Sequence, residues 1–300
     1  MPVMSSESED KTSPANVRAA LLRAARMLAE AGDSAPRLTA EVLLGHALGW
    51  ERVRVLSSLP QPLSRQQWDQ YAALVQRRVS GVPLQYITGR QEFYGLSFMV
   101  SPAVLIPRPE TELLVERAVI LAREGGADAP RFVDVGTGSG CVAVAFARQV
   151  SYAGGFAVDI SQAALAVARE NVVRHGTDQR INLVCCDLLE AFRVVPSFDF
   201  ILCNLPYVSS SDAGRLDRTV VDHEPHLALF GGESGTEIYA RLLPQARLRL
   251  RARGHLLIEF DPVRLEALRR LLTASGFTVE SILEDLQGLP RCIVAGKSDG

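Results

Sequence analysis

The sequence predicts an α/β protein: a parallel, doubly wound sheet preceded by a small helical domain. Two observations carry that reading. From residue 131 onward, short continuous apolar runs alternate with amphipathic helical stretches. This is the pattern of strands buried on both faces with crossover helices between them. Before residue 83, apolar residues recur at helical spacing instead, and that indicates packed helices.

Residues 1–12 (MPVMSSESEDKT) are polar and aperiodic and read as a disordered tail. Ser13-Pro14 looks like an N-cap with proline at the first helical position, followed by Val17, Leu21, Ala24 and Leu28 and closed by Gly32. A second helix is expected after Pro36, with Leu38, Val42 and Leu43 inward. A third starts at Ser64, where Gln67 completes a capping box ahead of Trp68, Tyr71, Leu74 and Val75. These make a helical domain over 13–82. Residues 83–108 form a linker with a hairpin, its arms around Phe93-Tyr94 and Phe98-Met99-Val100 and its turn at Gly95. Pro107 and Pro109 bar a helix until about residue 109. The catalytic domain then spans 109–300, with strands expected at 131–135, 155–159, 181–186, 198–203, 255–260 and 291–295 and helices at 161–174 and 236–251.

Composition narrows the function. Among 300 residues, 32 basic and 34 acidic side chains give a net charge of -2, which counts against a general nucleic-acid binder. Residues 1–90 carry +3 and the remainder -5, so any basic face lies in the helical part. The cysteines, Cys141, Cys185, Cys186, Cys203 and Cys292, are odd in number and form no Cys-x-x-Cys pair. They read as buried reduced thiols, and no metal is expected. No signal-like start and no run near the ~20 apolar residues of a membrane span is visible. A cytoplasmic protein is expected.

Asp134-Val135-Gly136-Thr137-Gly138-Ser139-Gly140 follows the first buried strand and precedes a helix near Cys141. Glycines there permit positive φ and close backbone approach to a ligand. Asp159 ends the second strand, where a carboxylate can accept from ribose hydroxyls. The loop alone leaves a dinucleotide open, since Gly138 to Ala143 satisfies that fingerprint. The fuller Asp-x-Gly-x-Gly-x-Gly pattern is that of S-adenosylmethionine-dependent methyltransferases. Asp187 and Leu188 close the third strand; by fold analogy they meet the adenine, and a solvated strand-end aspartate is the competing reading.

Asn204-Leu205-Pro206-Tyr207 stands at the end of the fourth strand, the edge where ligands gather in open α/β sheets. An amide or aromatic amine nitrogen is a poor nucleophile because its lone pair is delocalised. Two acceptors aimed at its N–H groups orient it: the Asn204 side-chain oxygen and the Leu205 carbonyl. Pro206 holds Leu205 extended and so aims that carbonyl. Tyr207 can lie against the planar group and exclude water. This loop and this tetrapeptide together favour S-adenosylmethionine.

With Leu105-Ile106-Pro107-Arg108-Pro109-Glu110-Thr111-Glu112, Pro83-Leu84-Gln85-Tyr86-Ile87-Thr88-Gly89, Glu224-Pro225-His226-Leu227-Ala228-Leu229 and Asp285-Leu286-Gln287-Gly288 added, the chain resembles the release factor glutamine methyltransferases over about residues 15–296. The resemblance implies a Rossmann-like S-adenosylmethionine-dependent methyltransferase fold with an N-terminal helical substrate-binding domain. It implies methylation of the side-chain amide (N5) of the glutamine in the Gly-Gly-Gln motif of peptide chain release factors. The catalytic residues would be Asn204, Leu205, Pro206 and Tyr207. Those at the cofactor would be Gly136, Thr137, Gly138, Ser139, Gly140, Asp159, Asp187, Leu188 and Asn204. A monomer without membrane or nucleic-acid partners is expected.

Two departures stand out. Leu205 replaces the first proline of the usual Asn-Pro-Pro-Tyr, and Ile258-Glu259-Phe260-Asp261 stands where the family tends to have Glu-Ile-Gly. Asn-Leu-Pro-Tyr is also what ribosomal RNA adenine dimethyltransferases carry. The rival functions are therefore an adenine N6-methyltransferase on RNA or DNA, using a flipped base, and a non-catalytic cofactor-binding homologue.

Other patterns carry less. His223-Glu224-Pro225-His226 reads as a structural or substrate-facing loop, since Pro225 breaks the helix a metal-binding pair would need. Arg108 and Glu110 form either an ion pair over the cofactor or a turn. Arg247, Arg249, Arg251 and Arg253 read as a solvated helix face that could contact RNA, and Cys185-Cys186 as core.

Overall fold

A computed structural model describes residues 14–215 and 217–298; the expected tail 1–12 and Ser13 lie outside the described residues. The chain divides into two compact units, residues 1–88 and 89–300. The expected 83–108 linker is thereby split. Residues 84–88 complete the helical unit, whereas the hairpin belongs to the second unit because Phe93 and Phe98 are buried in its core.

Among its described residues the first unit has five helices: α1 (Val17–Glu30), α2 (Pro36–Leu48), α3 (Arg52–Ser57), α4 (Arg65–Val79) and α5 (Leu84–Thr88). Helix α1 is capped by Asn16, whose side chain accepts from the Ala19 N–H at 3.0 Å, so it starts later than the Ser-Pro pair suggests. The capping box at Ser64 and Gln67 forms as expected, with both reciprocal bonds present. Helix α2 buries Leu43 as expected and half-buries Val42, but not Leu38. Ala40, Leu43 and Leu44 are fully buried while Leu38 is 45% exposed. The inward face is set by α4, where the Tyr71 hydroxyl donates to the Ala40 carbonyl at 3.0 Å.

The second unit opens with the hairpin β1 (Arg90–Phe93) and β2 (Leu96–Met99). Its two-residue turn, Tyr94-Gly95, has positive φ at both positions, the geometry whose twist matches the strands it joins. Helix α6 (Glu112–Glu124) then leads into β3 (Arg131–Val135), α7 (Cys141–Gln149), β4 (Gly154–Asp159), α8 (Gln162–Arg174), β5 (Ile181–Cys185) and β6 (Phe198–Cys203). After the short α9 (Arg218–His223) and α10 (His226–Leu229) come α11 (Glu237–Arg249), β7 (Leu250–Glu259), α12 (Leu265–Ala274), β8 (Phe277–Glu284) and β9 (Pro290–Lys297).

The seven strands run in the order β5-β4-β3-β6-β7-β9-β8. Five are parallel as expected, while β9 is antiparallel to both neighbours. The sequence reading lacked β8 altogether. Only residues 285–289 separate β8 from β9, too few for the crossover that parallel strands require. As an edge strand, β8 also mixes polar and apolar residues instead of running continuously apolar.

Alternation along the central strands builds two cores. Phe132, Phe200 and Leu202 pack under α6, α7 and the hairpin; Val133, Ile201, Cys203 and Ile258 pack under α11 and α12. Helices thus cover both faces. The strand order reverses at β3, whose neighbours are β4 and β6. The crevice past the ends of β3 and β6 is where such sheets bind ligands.

Candidate active site

That crevice holds a cleft lined by the loop after β3, the ends of β4 and β5, the segment after β6, and residues from Ala103 to Thr111. Where β3 ends, the chain turns through Gly136, Gly138 and Gly140 with φ of +73°, +54° and +81°. Two of these positions show why glycine is needed. A Cβ on Gly136 would stand 2.7 Å from Leu205 Cδ2, whereas Gly138 has nothing within 4 Å and leaves its backbone bare toward the cleft. The Val158 carbonyl accepts from the Gly136 and Thr137 N–H groups, both at 2.9 Å. Asp134 accepts from the Thr137 hydroxyl at 2.6 Å and the Ala143 N–H at 3.2 Å. Burial pushes its carboxyl up to about 7, against those two bonds.

Asp159 takes one backbone N–H on each oxygen, Gly138 at 2.9 Å and Ser161 at 2.9 Å. Burial raises its pKa and the backbone bonds oppose the rise. Each oxygen keeps a lone pair for a ligand hydroxyl. Asn171, fully buried, accepts from the Met99 N–H at 2.7 Å and donates to the Met99 carbonyl at 2.9 Å and the Ser139 carbonyl at 2.8 Å. The glycine loop is thereby tied to the hairpin. At the end of β5, Asp187 and Leu188 both line the cleft. Asp187 is ion-paired with Arg241 on α11, and Leu188 is buried with a φ of +50°.

Asn204, Leu205 and Pro206 line the cleft beside the glycine loop. The Asn204 Nδ2 donates to the Thr111 hydroxyl at 3.0 Å. Its Oδ1 is therefore the atom left to accept. The Leu205 side chain fills the space above Gly136, and its carbonyl lies 3.2 Å from the Tyr239 hydroxyl. That hydroxyl is 2.7 Å from the Glu259 carbonyl. Its single hydrogen is shared between two acceptors, so the Leu205 carbonyl retains acceptor capacity. Tyr239→Phe leaves both carbonyls short of a buried donor and is expected to cost about 1–3 kcal/mol, read as a lower urea midpoint at unchanged slope. Tyr207 stands outside the cleft lining. It packs against the core under α11, and burial raises its phenol.

Neighbouring segments clamp this arrangement. Glu224, buried, accepts from the Ile106 N–H at 3.1 Å and the Arg108 guanidinium at 2.6 Å. Arg108 therefore pairs with Glu224, not with Glu110, and joins the two segments that flank the cleft. Gly231 and Gly235 lie under the tetrapeptide: a Cβ on either would meet the Pro206 or Tyr207 carbonyl oxygen at 2.2 Å.

Several readings of the sequence are corrected. Cys185 is exposed and Cys186 partly so, because β5 is an edge strand; Cys186 lines the cleft. The other three thiols are buried. The arginine run does not form one solvated face, and only Arg253 of the four is exposed. Arg249 donates to the Phe192 carbonyl at 2.7 and 3.2 Å, Arg251 pairs with Asp199, and Arg247 bonds the Gly276 carbonyl. The chain changes from α11 to β7 at residue 250, so these side chains leave in different directions. Phe260 is core and Asp261 caps a 3-10 turn by accepting from the Val263 N–H. His223 and His226 bond the Thr219 and Val221 carbonyls, and no metal-binding cluster exists among the described residues. No helix among them is long and apolar enough to cross a membrane.

Thr111, Tyr239 and Arg241 carried no assigned role from sequence reasoning. Thr111 sits in the quoted Pro-Arg-Pro-Glu-Thr-Glu run and could have been noticed. Nothing in the sequence of α11 marks Tyr239 or Arg241.

Comparison with known proteins settles the family. The chain is 41% identical over 279 residues to the release factor glutamine methyltransferase of Koribacter versatilis (strain Ellin345), covering 89% of this chain and 94% of that one. This protein belongs to the release factor glutamine methyltransferase family. The enzyme of that name from Moorella thermoacetica (strain ATCC 39073 / JCM 9320) is 40% identical, over 93% of this chain and 98% of its own. Residues 19–89 match the PrmC N-terminal domain and residues 132–222 a methyltransferase domain. Among solved structures, the hMettl16 catalytic domain crystallised with the MAT2A 3'UTR hairpin 6 shares the fold. Its TM-score is 0.55 at 18% identity, covering 76% of this chain and 82% of that one. This member of the family is therefore a methyltransferase with a Rossmann-like catalytic fold and a helical N-terminal region.

Proposed function

We propose that this enzyme transfers a methyl group from S-adenosylmethionine to the N5 amide nitrogen of the glutamine in the Gly-Gly-Gln motif of peptide chain release factors. The observation that carries this reading is the orientation of Asn204. Its amide nitrogen donates to Thr111, so its oxygen is the atom left to accept, and both Asn204 and Leu205 line the cleft. Two acceptors so placed suit a planar N–H₂ group, whose two hydrogens they can take.

The residues present fit the cofactor. The bare backbone at Gly138, the Asp159 carboxylate at the end of β4, and the apolar Leu188 beside Asp187 supply a close approach, a hydroxyl acceptor and a ring contact. The N-terminal end of α7, at Cys141 and Val142, lines the same cleft and favours a ligand's carboxylate. The sulfonium of the cofactor, when bound, supplies a methyl group already activated for transfer, so no strong base is needed to generate the nucleophile. What the chain contributes is position. Asn204 and the Leu205 carbonyl hold the nitrogen, and Pro206 aims that carbonyl, while Tyr207 packs the tetrapeptide onto the core outside the cleft lining. In-line placement of this kind is worth roughly 7–11 kcal/mol. The helical domain expected over 13–82 is read as the part that binds the release factor.

The test is transfer of labelled methyl to purified release factor, beside a Gly-Gly-Ala mutant of its motif and bulk RNA. Label on wild-type release factor alone is expected. Label on RNA alone would reassign the acceptor to a base, and no label on any acceptor would leave only a binding protein.

A further inference from the structure

Glu259 closes β7 behind the tetrapeptide and is 2% exposed. Its Oε2 has no hydrogen-bond partner among the described residues. A buried carboxylate with an unfilled acceptor is costly. A glutamine would occupy the same volume without burying a charge, so packing alone does not explain an acid here. The Thr111 hydroxyl and the Asn204 amide are the polar side chains whose hydrogen bonding favours its charged form. Thr111 also accepts from Asn204 Nδ2, and its own hydrogen is then free for the strongest acceptor beside it, the Glu259 carboxylate.

We infer that Glu259 and Thr111 are positioning residues, which hold the Asn204 amide with its nitrogen turned away from the cleft and its oxygen turned toward the acceptor nitrogen. This rests on the role proposed above for Asn204. Asn204 donates to Thr111, and the Thr111 hydroxyl and the Asn204 amide both favour a charged Glu259 as their acceptor. A proton on Glu259 would make it a donor to Thr111, whose hydroxyl could then turn to the Asn204 oxygen. The amide would in that case present its NH₂ edge to the substrate, two donors facing two donors.

The arrangement makes turnover pH-dependent. Burial raises the Glu259 carboxyl to about 7 and Glu110 adds to the rise, while Thr111, Arg291 and Asn204 oppose it. The other titratable groups facing it are Cys292 on β9, Tyr207 after β6, Tyr239 on α11 and Cys141 on α7. Burial raises all four, Cys141 to about 12, so none titrates near neutrality. Asp134 does, at about 7, and a variant is needed to separate it. Turnover rises as pH increases through the Glu259 value and the chain of donors locks. Stability moves the other way. A carboxyl raised on folding stabilises fully below its unfolded pKa, and that contribution is lost as pH rises through the folded value.

The experiment compares wild type with Glu259→Gln, Thr111→Val and Thr111→Ser for kcat, KM, S-adenosylmethionine binding and melting temperature between pH 5.5 and 8.5. Glu259→Gln and Thr111→Val are expected to lose about tenfold to a hundredfold in kcat, the scale of misplacing a reacting group. Cofactor affinity should stay within about twofold, since the glycine loop is untouched. Thr111→Ser should keep most activity, and the rise through about pH 7 should vanish in Glu259→Gln although Asp134 remains. Wild-type kcat with an unchanged pH profile in both Glu259→Gln and Thr111→Val would overturn the inference. So would an equal loss in Thr111→Ser. A second readout does not depend on the acceptor: the side-chain amide resonances of Asn204 should titrate near pH 7 in wild type and not in Glu259→Gln. If wild type leaves release factor unlabelled, the proposed function falls while the resonances still judge the chain, and a pH-independent Asn204 signal refutes it.

Discussion

Replacing Asn204 by alanine is expected to lower turnover by about 10²–10³, the scale of removing one oriented polar group from a reaction centre. The side chain is held at its nitrogen by Thr111, which leaves its oxygen to accept, and the residue lines the cleft. Alanine removes that acceptor and nothing that shapes the glycine loop, which is held by Asp134, Asp159 and the Val158 carbonyl. Cofactor binding should therefore persist, and the loss should appear in kcat at saturating release factor. Turnover within about threefold of wild type would remove Asn204 from its assigned role.

Gly231→Ala is expected to damage both fold and turnover, although Gly231 touches no reacting group. The new Cβ would stand 2.2 Å from the Pro206 oxygen and 2.9 Å from its carbonyl carbon, both backbone atoms. Neither side can withdraw freely. The Gly231 N–H donates to the Val208 carbonyl at 2.9 Å, and the Val208 N–H to the Leu229 carbonyl at 3.1 Å. Overpacking of this kind costs about 1–3 kcal/mol, and a shift of the tetrapeptide by about 1 Å costs about a hundredfold in rate. Gly154→Ala is the control, since its Cβ would meet the Arg180 oxygen at an ordinary 3.5 Å. Urea unfolding and turnover of the two variants, measured together, check the prediction. A Gly231 variant that matches the control would show that the tetrapeptide yields without consequence.

Much of the site was readable along the chain because its parts are contiguous. Gly136 to Gly140 announce a turn that only glycine permits, Asp159 follows at the end of the next strand, and Asn204 to Tyr207 sit together at a strand end. The partners of these residues were not readable, since hydrogen bonds between distant segments leave no periodic trace. Thr111 lies 93 residues from Asn204, Glu224 lies 116 from Arg108, and Asn171 lies 72 from Met99. The arginine run shows the converse error. Four arginines at alternate positions look like one face until an element boundary falls among them.

By itself the sequence determined the parallel core of the sheet, the helical unit before it, the glycine loop and the tetrapeptide. Each follows from local rules: apolar continuity, helical period, a left-handed φ, the stiffness before a proline. Tertiary structure alone decided the direction of β9 and the presence of β8, because a short connection and an edge position override the apolar pattern. It also decided which way Asn204 faces. An asparagine presents an oxygen and a nitrogen of nearly the same shape, and only the donors and acceptors packed around it choose between them.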